Sequence, residues 1–162
     1  LALEEELLAR SRLGPEPLAD EFTEQELRAR LSRRSRAAIK PLLLDAAYQL
    51  PFAGRVFDKV LVDAPCSGTG TLRGNPEIRW RLSPSDIPLL AESQKRILRN
   101  ATEMVKPGGL LVYSTCSVER EENEVVIEEV LGQDDRFRPV RTFRTWPHRE
   151  GADGFFVGIF EK

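Results

Sequence analysis

Two short apolar segments, each ending in polar residues and separated by a helical pattern, constrain the fold of this chain more than any other feature. FDKVLVD ends at Asp63 and GLLVYST ends at Thr115, and each is apolar through its centre. Between them, one helix is predicted from about Ser85 to Val105, and the sequence Lys-Pro-Gly-Gly ends it. Buried strands that alternate with helices are typical of a mostly parallel sheet with helices on both faces. We therefore expect an α/β fold.

The other segments extend this α/β pattern. PLLLDA predicts an earlier strand that ends near Asp45, and VEREENEVVIEEVLG predicts an acidic amphipathic helix. FRPVRTF and GFFVGIFEK predict two closing strands that form an antiparallel pair. Towards the N-terminus, helices are predicted over residues 1–12 and from about Glu24 to Ile39. We expect a helical N-terminal segment over residues 1–36 and an α/β domain over residues 37–162.

The composition argues against several classes of protein. The chain has 162 residues, a net charge of −2, two cysteines and one histidine. These three side chains cannot complete a tetrahedral zinc site made of Cys and His ligands, and two cysteines are too few for a disulfide-rich secreted domain. No apolar run approaches the ~20 residues of a membrane span, and the acidic start lacks the features of a signal peptide. We therefore expect no metal, no membrane partner and a cytoplasmic location.

Both cysteines follow directly after predicted strands. Cys66 lies in DAPCSGTG, after the strand that ends at Asp63, and Cys116 lies in STCS, after the next strand. Ligands of open α/β sheets bind beyond the carboxyl ends of the strands, and neighbouring strands lie ~4.8 Å apart. If the two strands are neighbours, both thiols face one pocket. Burial of both as structural thiols is the alternative, although the small polar residues around each favour an accessible thiolate.

Two thiols and an aspartate in one cleft suit the methylation of a pyrimidine at carbon 5. That carbon becomes nucleophilic only after a thiolate has added to carbon 6 of the ring. The adduct must then lose the proton on carbon 5 and expel the thiolate, and a second thiol or a nearby base assists this release. Thiol–disulfide exchange is the competing chemistry, but it usually uses a Cys-x-x-Cys motif, which this sequence lacks.

Three segments resemble the signature motifs of one enzyme family. FDKVLVDAPCSGTGTLRGNPEIRW, KPGGLLVYSTCSVEREENEVVIEEVL and PHREGADGFFVGIFEK occur in this order within about residues 36–162. They resemble the Sun/Nop family of S-adenosylmethionine-dependent RNA (cytosine-5)-methyltransferases. The resemblance implies the Rossmann-like sheet of a class I methyltransferase, S-adenosylmethionine as the cofactor, and rRNA or tRNA as the substrate.

The resemblance also implies roles for individual residues. Cys116 corresponds to the nucleophile that attacks carbon 6, and Cys66 corresponds to the cysteine needed for product release. Asp45 and Asp63 match positions that contact S-adenosylmethionine, and Asp63 also lies where it can bond to the cytosine edge. Pro65 is expected to shape the turn that holds Cys66, beside the substrate.

The loop after the first cysteine supplies candidate RNA contacts. Arg73, Arg79 and Arg81 are suited to phosphate groups, and Trp80 is suited to stacking on a base. The alternative is a loop of solvated arginines that Trp80 anchors in the core.

Two further positions have a functional and a structural interpretation. His148 is a candidate proton shuttle, or a structural residue of its motif. The Glu residues at 119–129 predict a solvated helix face, and Glu119 is the one expected near the site.

The family pattern is incomplete in this sequence. A class I methyltransferase uses a glycine-rich loop, which reads like AAPGGKT in this family, and a strand whose final acid binds the ribose. No such segment precedes Asp45, and Gly14 is the only earlier glycine. We expect the N-terminal strands and the cofactor loop to be missing. The chain is then a truncated enzyme, one piece of a split enzyme whose second chain supplies the loop, or a non-catalytic RNA-binding or scaffolding fragment.

Overall fold

The structure, a computed structural model, describes residues 44–48 and 50–162. The helices predicted over residues 1–12 and 24–39 lie outside the described residues, as does most of the strand predicted before Asp45. The predicted boundary at residue 36 lies outside them as well.

Four strands form one mixed sheet in the described part of the chain, in the order β1-β2-β4-β3. The strands are β1 Phe57–Asp63, β2 Val105–Thr115, β3 Arg138–Thr145 and β4 Phe155–Glu161. β1 and β2 are parallel, whereas β4 runs antiparallel to both β2 and β3. The α/β fold and the closing antiparallel pair are therefore confirmed. We expected a mostly parallel sheet, but two of the three pairings among the described strands are antiparallel.

One long helix joins the two parallel strands. The helices are α1 Ile78–Arg81, α2 Asp86–Met104, α3 Glu124–Leu131 and α4 Pro147–Glu150. α2 makes the crossover that parallel pairing of β1 with β2 requires, close to the predicted bounds. β2 begins directly after it, at Val105, and so includes the Lys-Pro-Gly-Gly sequence that ends the helix. No helix among the described residues is long and apolar enough to cross a membrane.

A stripe of buried residues on α2 packs against the sheet. The stripe repeats every three or four residues, as expected of an amphipathic helix, and consists of Leu90, Ala91, Gln94, Ile97, Leu98 and Ala101. Its apolar members belong to the core that also contains Val62, Leu111 and Tyr113 of the sheet. Full burial of a side chain such as Leu98 contributes about 2 kcal/mol. This packing holds β1 and β2 side by side.

Asp45 begins a turn, and most of the strand predicted before it lies outside the described residues. Leu44 and Asp45 have no regular structure, and Ala46 and Ala47 form a turn. The backbone N–H of Tyr48 donates to the Asp45 carbonyl at 3.1 Å, and that of Ala47 donates to the Asp45 carboxylate at 2.9 Å. An aspartate commonly closes a turn in this way by bonding to the backbone two residues on. The acid at the end of this apolar run therefore marks a turn.

The acidic segment after Cys116 is not one continuous helix, contrary to the prediction. A 3₁₀ turn, Arg120–Glu122, precedes α3, and Asn123 between them has non-helical backbone. The Asn123 side chain accepts a hydrogen bond from Thr115 Oγ1 at 2.6 Å and donates one to Ser117 O at 3.0 Å. These bonds tie the segment to the end of β2 and interrupt the helix.

Three loops cross at two glycines beside the carboxyl ends of β1 and β2. The Gly70 N–H donates to Cys116 O at 2.9 Å, and the Gly154 N–H donates to Gly70 O at 2.8 Å. A Cβ atom on Gly70 would overlap Gly154 O and lie 2.8 Å from Cys116 O. Because only glycine permits this approach, the DAPCSGTG, STCS and DGFF segments meet at one place.

Replacing Gly70 with alanine is expected to lower the free energy of unfolding by about 2 kcal/mol, because backbone atoms must move to admit the methyl group. The matched control is Gly74→Ala, whose Cβ would lie 3.8 Å from Thr71 O, an ordinary van der Waals distance, and a change within about 0.5 kcal/mol is expected there. Urea denaturation followed by circular dichroism measures both. Equal losses in the two variants would contradict the close approach at Gly70.

Candidate active site

The two cysteines meet at the carboxyl ends of β1 and β2. Their Sγ atoms lie 3.4 Å apart, within hydrogen-bond distance, and both thiols are free. The strand register pairs Asp63 with Ser114, so each cysteine follows its strand by a few residues and enters the same space. The prediction that neighbouring strands bring both thiols to one pocket is confirmed.

The contact between the thiols changes their acidity in opposite directions. The hydrogen bond from Cys66 lowers the pKa of Cys116 from 9.0 to about 7. The same hydrogen bond, together with burial, raises the pKa of Cys66 above its ordinary value. Cys116 is therefore the thiolate of the pair near neutral pH, and Cys66 is the donor that stabilises it.

Glu122, which the sequence pattern did not single out, lies beneath both cysteine loops. Its carboxylate accepts hydrogen bonds from the Ser67 N–H at 2.9 Å, Ser67 Oγ at 2.5 Å and Ser117 Oγ at 2.5 Å. Glu122 has no exposed surface, so the predicted solvated face is wrong at this position. The signal is weak in the sequence, because nothing in the acidic run separates Glu122 from the exposed Glu121.

Asp63 and Pro65 lie just before Cys66. The Asp63 side chain is exposed and accepts a hydrogen bond from Ser114 Oγ at 3.0 Å. The Pro65 carbonyl accepts one from Gln94 Nε2 of α2 at 2.8 Å. The turn that carries Cys66 is thus attached to the crossover helix.

A cavity of about 710 Å³ opens beside the thiols. Its volume falls within the range of small-molecule sites. Both cysteines line it on the sheet side. α1, the start of α2 and the loop before α1 form the rest of its wall. The residues of that part of the wall are Thr71, Asn75, Glu77, Ile78, Arg81, Leu82, Asp86, Leu89 and Leu90. The sequence identified the loop that forms this wall but not the acidic and apolar members of it.

The candidate RNA contacts lie on the loop and the short helix that form this wall. Trp80 is 87% exposed, so the alternative in which it anchors the loop in the core is wrong. Arg79, next to it on α1, is also exposed, and Arg81 of the same helix lines the cavity. Arg73 is exposed and donates to Gly151 O at 3.0 Å, which connects this loop to the one before β4.

Three other candidates lie apart from the cavity lining. Asp45 lies in the turn before β1, and His148 is exposed on α4. Glu119 bonds to Ser117 Oγ through its backbone N–H at 3.0 Å. The structure therefore brings Cys66, Cys116 and Asp63 to one edge of the sheet, whereas the buried acid beside them is Glu122.

A family model covers most of the chain. The family described as 16S rRNA methyltransferase RsmB/F matches residues 23–161. The chain belongs to this family. The RsmB/F match includes both cysteine loops and the closing strands, so the resemblance to the Sun/Nop family is confirmed. The boundary between residues 1–36 and 37–162 stays a prediction.

The RsmB/F chain is similar to known proteins over part of their length. It is 41% identical over 128 residues to a probable ribosomal RNA small subunit methyltransferase B of Bacillus subtilis (strain 168). This alignment covers 68% of this chain and 29% of that protein. The crystal structure of PH0851 is 38% identical with a TM-score of 0.80, over 85% of this chain and 34% of that one. NSun6 from Pyrococcus horikoshii with SFG is 26% identical with a TM-score of 0.73, over 86% and 39%. The Rossmann-like methyltransferase fold is confirmed, and the chain spans 26% to 35% of the length of the curated relatives compared with it.

Alkylation of Cys116 by iodoacetamide is expected to have its midpoint near pH 7. Because the pKa is lowered, the reactive thiolate is present above this pH and is lost as the pH falls below it. Cys66→Ala removes the hydrogen-bond donor and is expected to move the midpoint up towards 9.0. Mass spectrometry of the tryptic peptide that contains Cys116 measures the rate at each pH.

Cys66→Ser is the matched control for that experiment, since its hydroxyl keeps a donor beside Cys116 and should give a smaller shift. A midpoint near 9 in the unchanged chain would contradict the role of the thiol contact.

Proposed function

We propose that this chain carries the reacting thiols of an S-adenosylmethionine-dependent RNA (cytosine-5)-methyltransferase. The observation that carries the proposal is the 3.4 Å contact between Cys66 and Cys116 at the ends of two parallel strands. A thiol–disulfide exchange protein also needs two thiols in contact, but membership of the RsmB/F methyltransferase family favours methyl transfer.

Cys116 is the proposed nucleophile. Its lowered pKa, about 7, keeps much of it as thiolate at neutral pH, and the adjoining cavity of about 710 Å³ is large enough for a base turned out of its stack. The thiolate forms a bond to carbon 6 of cytosine as the double bond between carbons 5 and 6 opens. Carbon 5 then has the electron density to take up a methyl group.

Cys66 is the proposed release group. After methylation, carbon 5 carries both the new methyl group and its original proton. Transfer of that proton to a base re-forms the double bond and expels the Cys116 thiolate. Because its pKa is raised, Cys66 stays protonated and donates a hydrogen bond to the departing sulfur, 3.4 Å away.

Two carboxylates suit S-adenosylmethionine, which would supply the electrophilic methyl group. Asp63 is exposed at the carboxyl end of β1, and Asp45 lies in the turn before that strand. Carboxylates accept hydrogen bonds from ammonium and hydroxyl groups, and this cofactor carries both. Asp45 and Asp63 are therefore its proposed contacts, and Asp63 is also the proposed partner of the cytosine edge.

An RNA strand is the proposed substrate. Exposed Trp80 is available to stack on a base, and the guanidinium groups of Arg73 and Arg79 are available to phosphates. Pro65 borders the base through the turn that holds Cys66. Ribosomal RNA is favoured over transfer RNA, because the similar curated proteins are named ribosomal RNA small subunit methyltransferases.

Cys66→Ala is expected to accumulate a covalent protein–RNA adduct, because the methylated base leaves slowly without the release group. The variant is incubated with small-subunit ribosomal RNA and S-adenosylmethionine, and the adduct is detected on a denaturing gel. The 162-residue chain is tested beside a chimera in which it replaces the matching segment of the Bacillus subtilis relative.

The control for this experiment is the double variant Cys66→Ala/Cys116→Ala, which is expected to form no adduct. An adduct that persists in the double variant would show that Cys116 is not the nucleophile.

A non-catalytic RNA-binding or scaffolding fragment is the alternative function, since the sequence contains no segment like AAPGGKT. We expect the chain alone to bind S-adenosylmethionine weakly or not at all, and the chimera to bind it. Isothermal titration calorimetry measures both, and Asp63→Asn is expected to weaken binding to the chimera by about tenfold through loss of a charged hydrogen bond. Micromolar binding by the chain alone excludes the alternative, whereas a chimera that neither binds the cofactor nor forms the adduct supports it.

A further inference from the structure

Glu122 is a fully buried acid whose hydrogen-bond partners surround it. Oε1 accepts from the Ser67 N–H at 2.9 Å and from Gln94 Nε2 at 3.0 Å. Oε2 accepts from the hydroxyls of Ser67 and Ser117, each at 2.5 Å. A deprotonated carboxylate carries only acceptors, so its two oxygens match these donors. A charge buried at this depth is tolerated only when it is bonded in this way.

The partners of Glu122 belong to both cysteine loops. Ser67 immediately follows Cys66, and Ser117 immediately follows Cys116. The two serine hydroxyls lie 3.2 Å apart on the same carboxylate oxygen, and the two thiols lie 3.4 Å apart. Each cysteine comes one residue before its serine. The two sulfur atoms therefore lie about as far apart as the two serine hydroxyls.

Glu122 is itself held in place from two sides. Its carbonyl accepts a hydrogen bond from the buried Tyr113 hydroxyl at 2.7 Å. Gln94 of α2 donates both to the Glu122 carboxylate and to the Pro65 carbonyl. Because both of those partners are acceptors, the orientation of the Gln94 amide is determined. The carboxylate is therefore attached to β2 and to the crossover helix as well as to the two loops.

We propose that Glu122 is a positioning residue that sets the distance between the Cys66 and Cys116 sulfur atoms by binding Ser67 and Ser117. This inference rests on the proposed function, because the thiol distance matters only if the two thiols cooperate. The pH midpoint of Cys116 alkylation reports the thiol contact without RNA or cofactor, so a failure of the inference and a failure of the proposed function are distinguishable.

The position and the charge of Glu122 act on Cys116 in opposite directions. The hydrogen bond from Cys66 lowers the pKa of Cys116, and it needs the short distance between the thiols. The negative charges of Glu122 and Asp63 raise that pKa. Three more charged residues line the cavity beside the thiols: Glu77, Arg81 and Asp86. Neutralising Glu122 therefore lowers the pKa of Cys116 if only its charge matters, and raises it if its position holds the thiols together.

The experiment compares alkylation of Cys116 across pH in the full chain and in Glu122→Ala. Alanine accepts none of the hydrogen bonds that Ser67, Ser117 and Gln94 donate to the carboxylate, so the loops are expected to separate. We expect the midpoint to rise from about 7 by at least one unit, which corresponds to a rate at pH 7 lower by about 5-fold or more through loss of thiolate. Glu122→Asp keeps the charge but shortens the side chain, and the same direction of shift is expected.

Glu121→Ala is the matched control, because it makes the same change at the exposed neighbour in the same 3₁₀ turn. Its midpoint is expected to stay near 7. An unchanged or lowered midpoint in folded Glu122→Ala overturns the proposal.

Ser67→Ala and Ser117→Ala decide the matter if the Glu122 variants fail to fold. Each removes one hydroxyl that donates to the carboxylate and leaves the other bonds to Glu122 in place; Ser117→Ala also removes the acceptor of the Glu119 N–H. A smaller rise of the Cys116 midpoint in each supports the proposal. If both keep a midpoint near 7, Glu122 does not set the thiol distance.

Discussion

The parallel pairing of β1 with β2 is the interaction on which the candidate site depends. Their register pairs Asp63 with Ser114, so the two chain segments leave the sheet side by side and the two cysteines follow within a few residues. The helix Asp86–Met104 makes this pairing possible, because parallel neighbours need a crossover connection. The same helix reaches the site directly, since Gln94 bonds to the Pro65 carbonyl and to Glu122.

Beyond the ends of the strands, hydrogen bonds between loops, rather than apolar packing, hold the structure together. Gly70 accepts and donates backbone hydrogen bonds that join three loops, and Glu122 joins two of them from below. Such a buried polar network is stable only when its members are bonded, and it then specifies one arrangement more strictly than apolar contacts do. A hydrogen bond between thiols 3.4 Å apart needs a single, well-defined arrangement of the loops, because a hydrogen bond weakens steeply with distance and angle.

The parts of the site that sequence patterns predicted are those that depend on local periodicity and strand order. The apolar runs that end at Asp63 and Thr115 predicted two strands, and their order predicted that Cys66 and Cys116 lie together. Asp45 was expected at the end of a strand but begins a turn, because an aspartate also closes turns. The exposure of Trp80 and the burial of Glu122 could not be predicted, since both depend on distant parts of the chain.

By itself, the sequence determined the α/β alternation, the motifs that identify the RsmB/F family, and the placement of a cysteine after each of two strands. Only the tertiary structure decided which thiol is the stronger acid, which acid is buried, and how closely the loops approach. The reason is physical. Periodicity is a property of neighbouring residues, whereas the pKa of Cys116 and the burial of Glu122 depend on atoms of Cys66, Ser67 and Gln94, which lie far away along the chain.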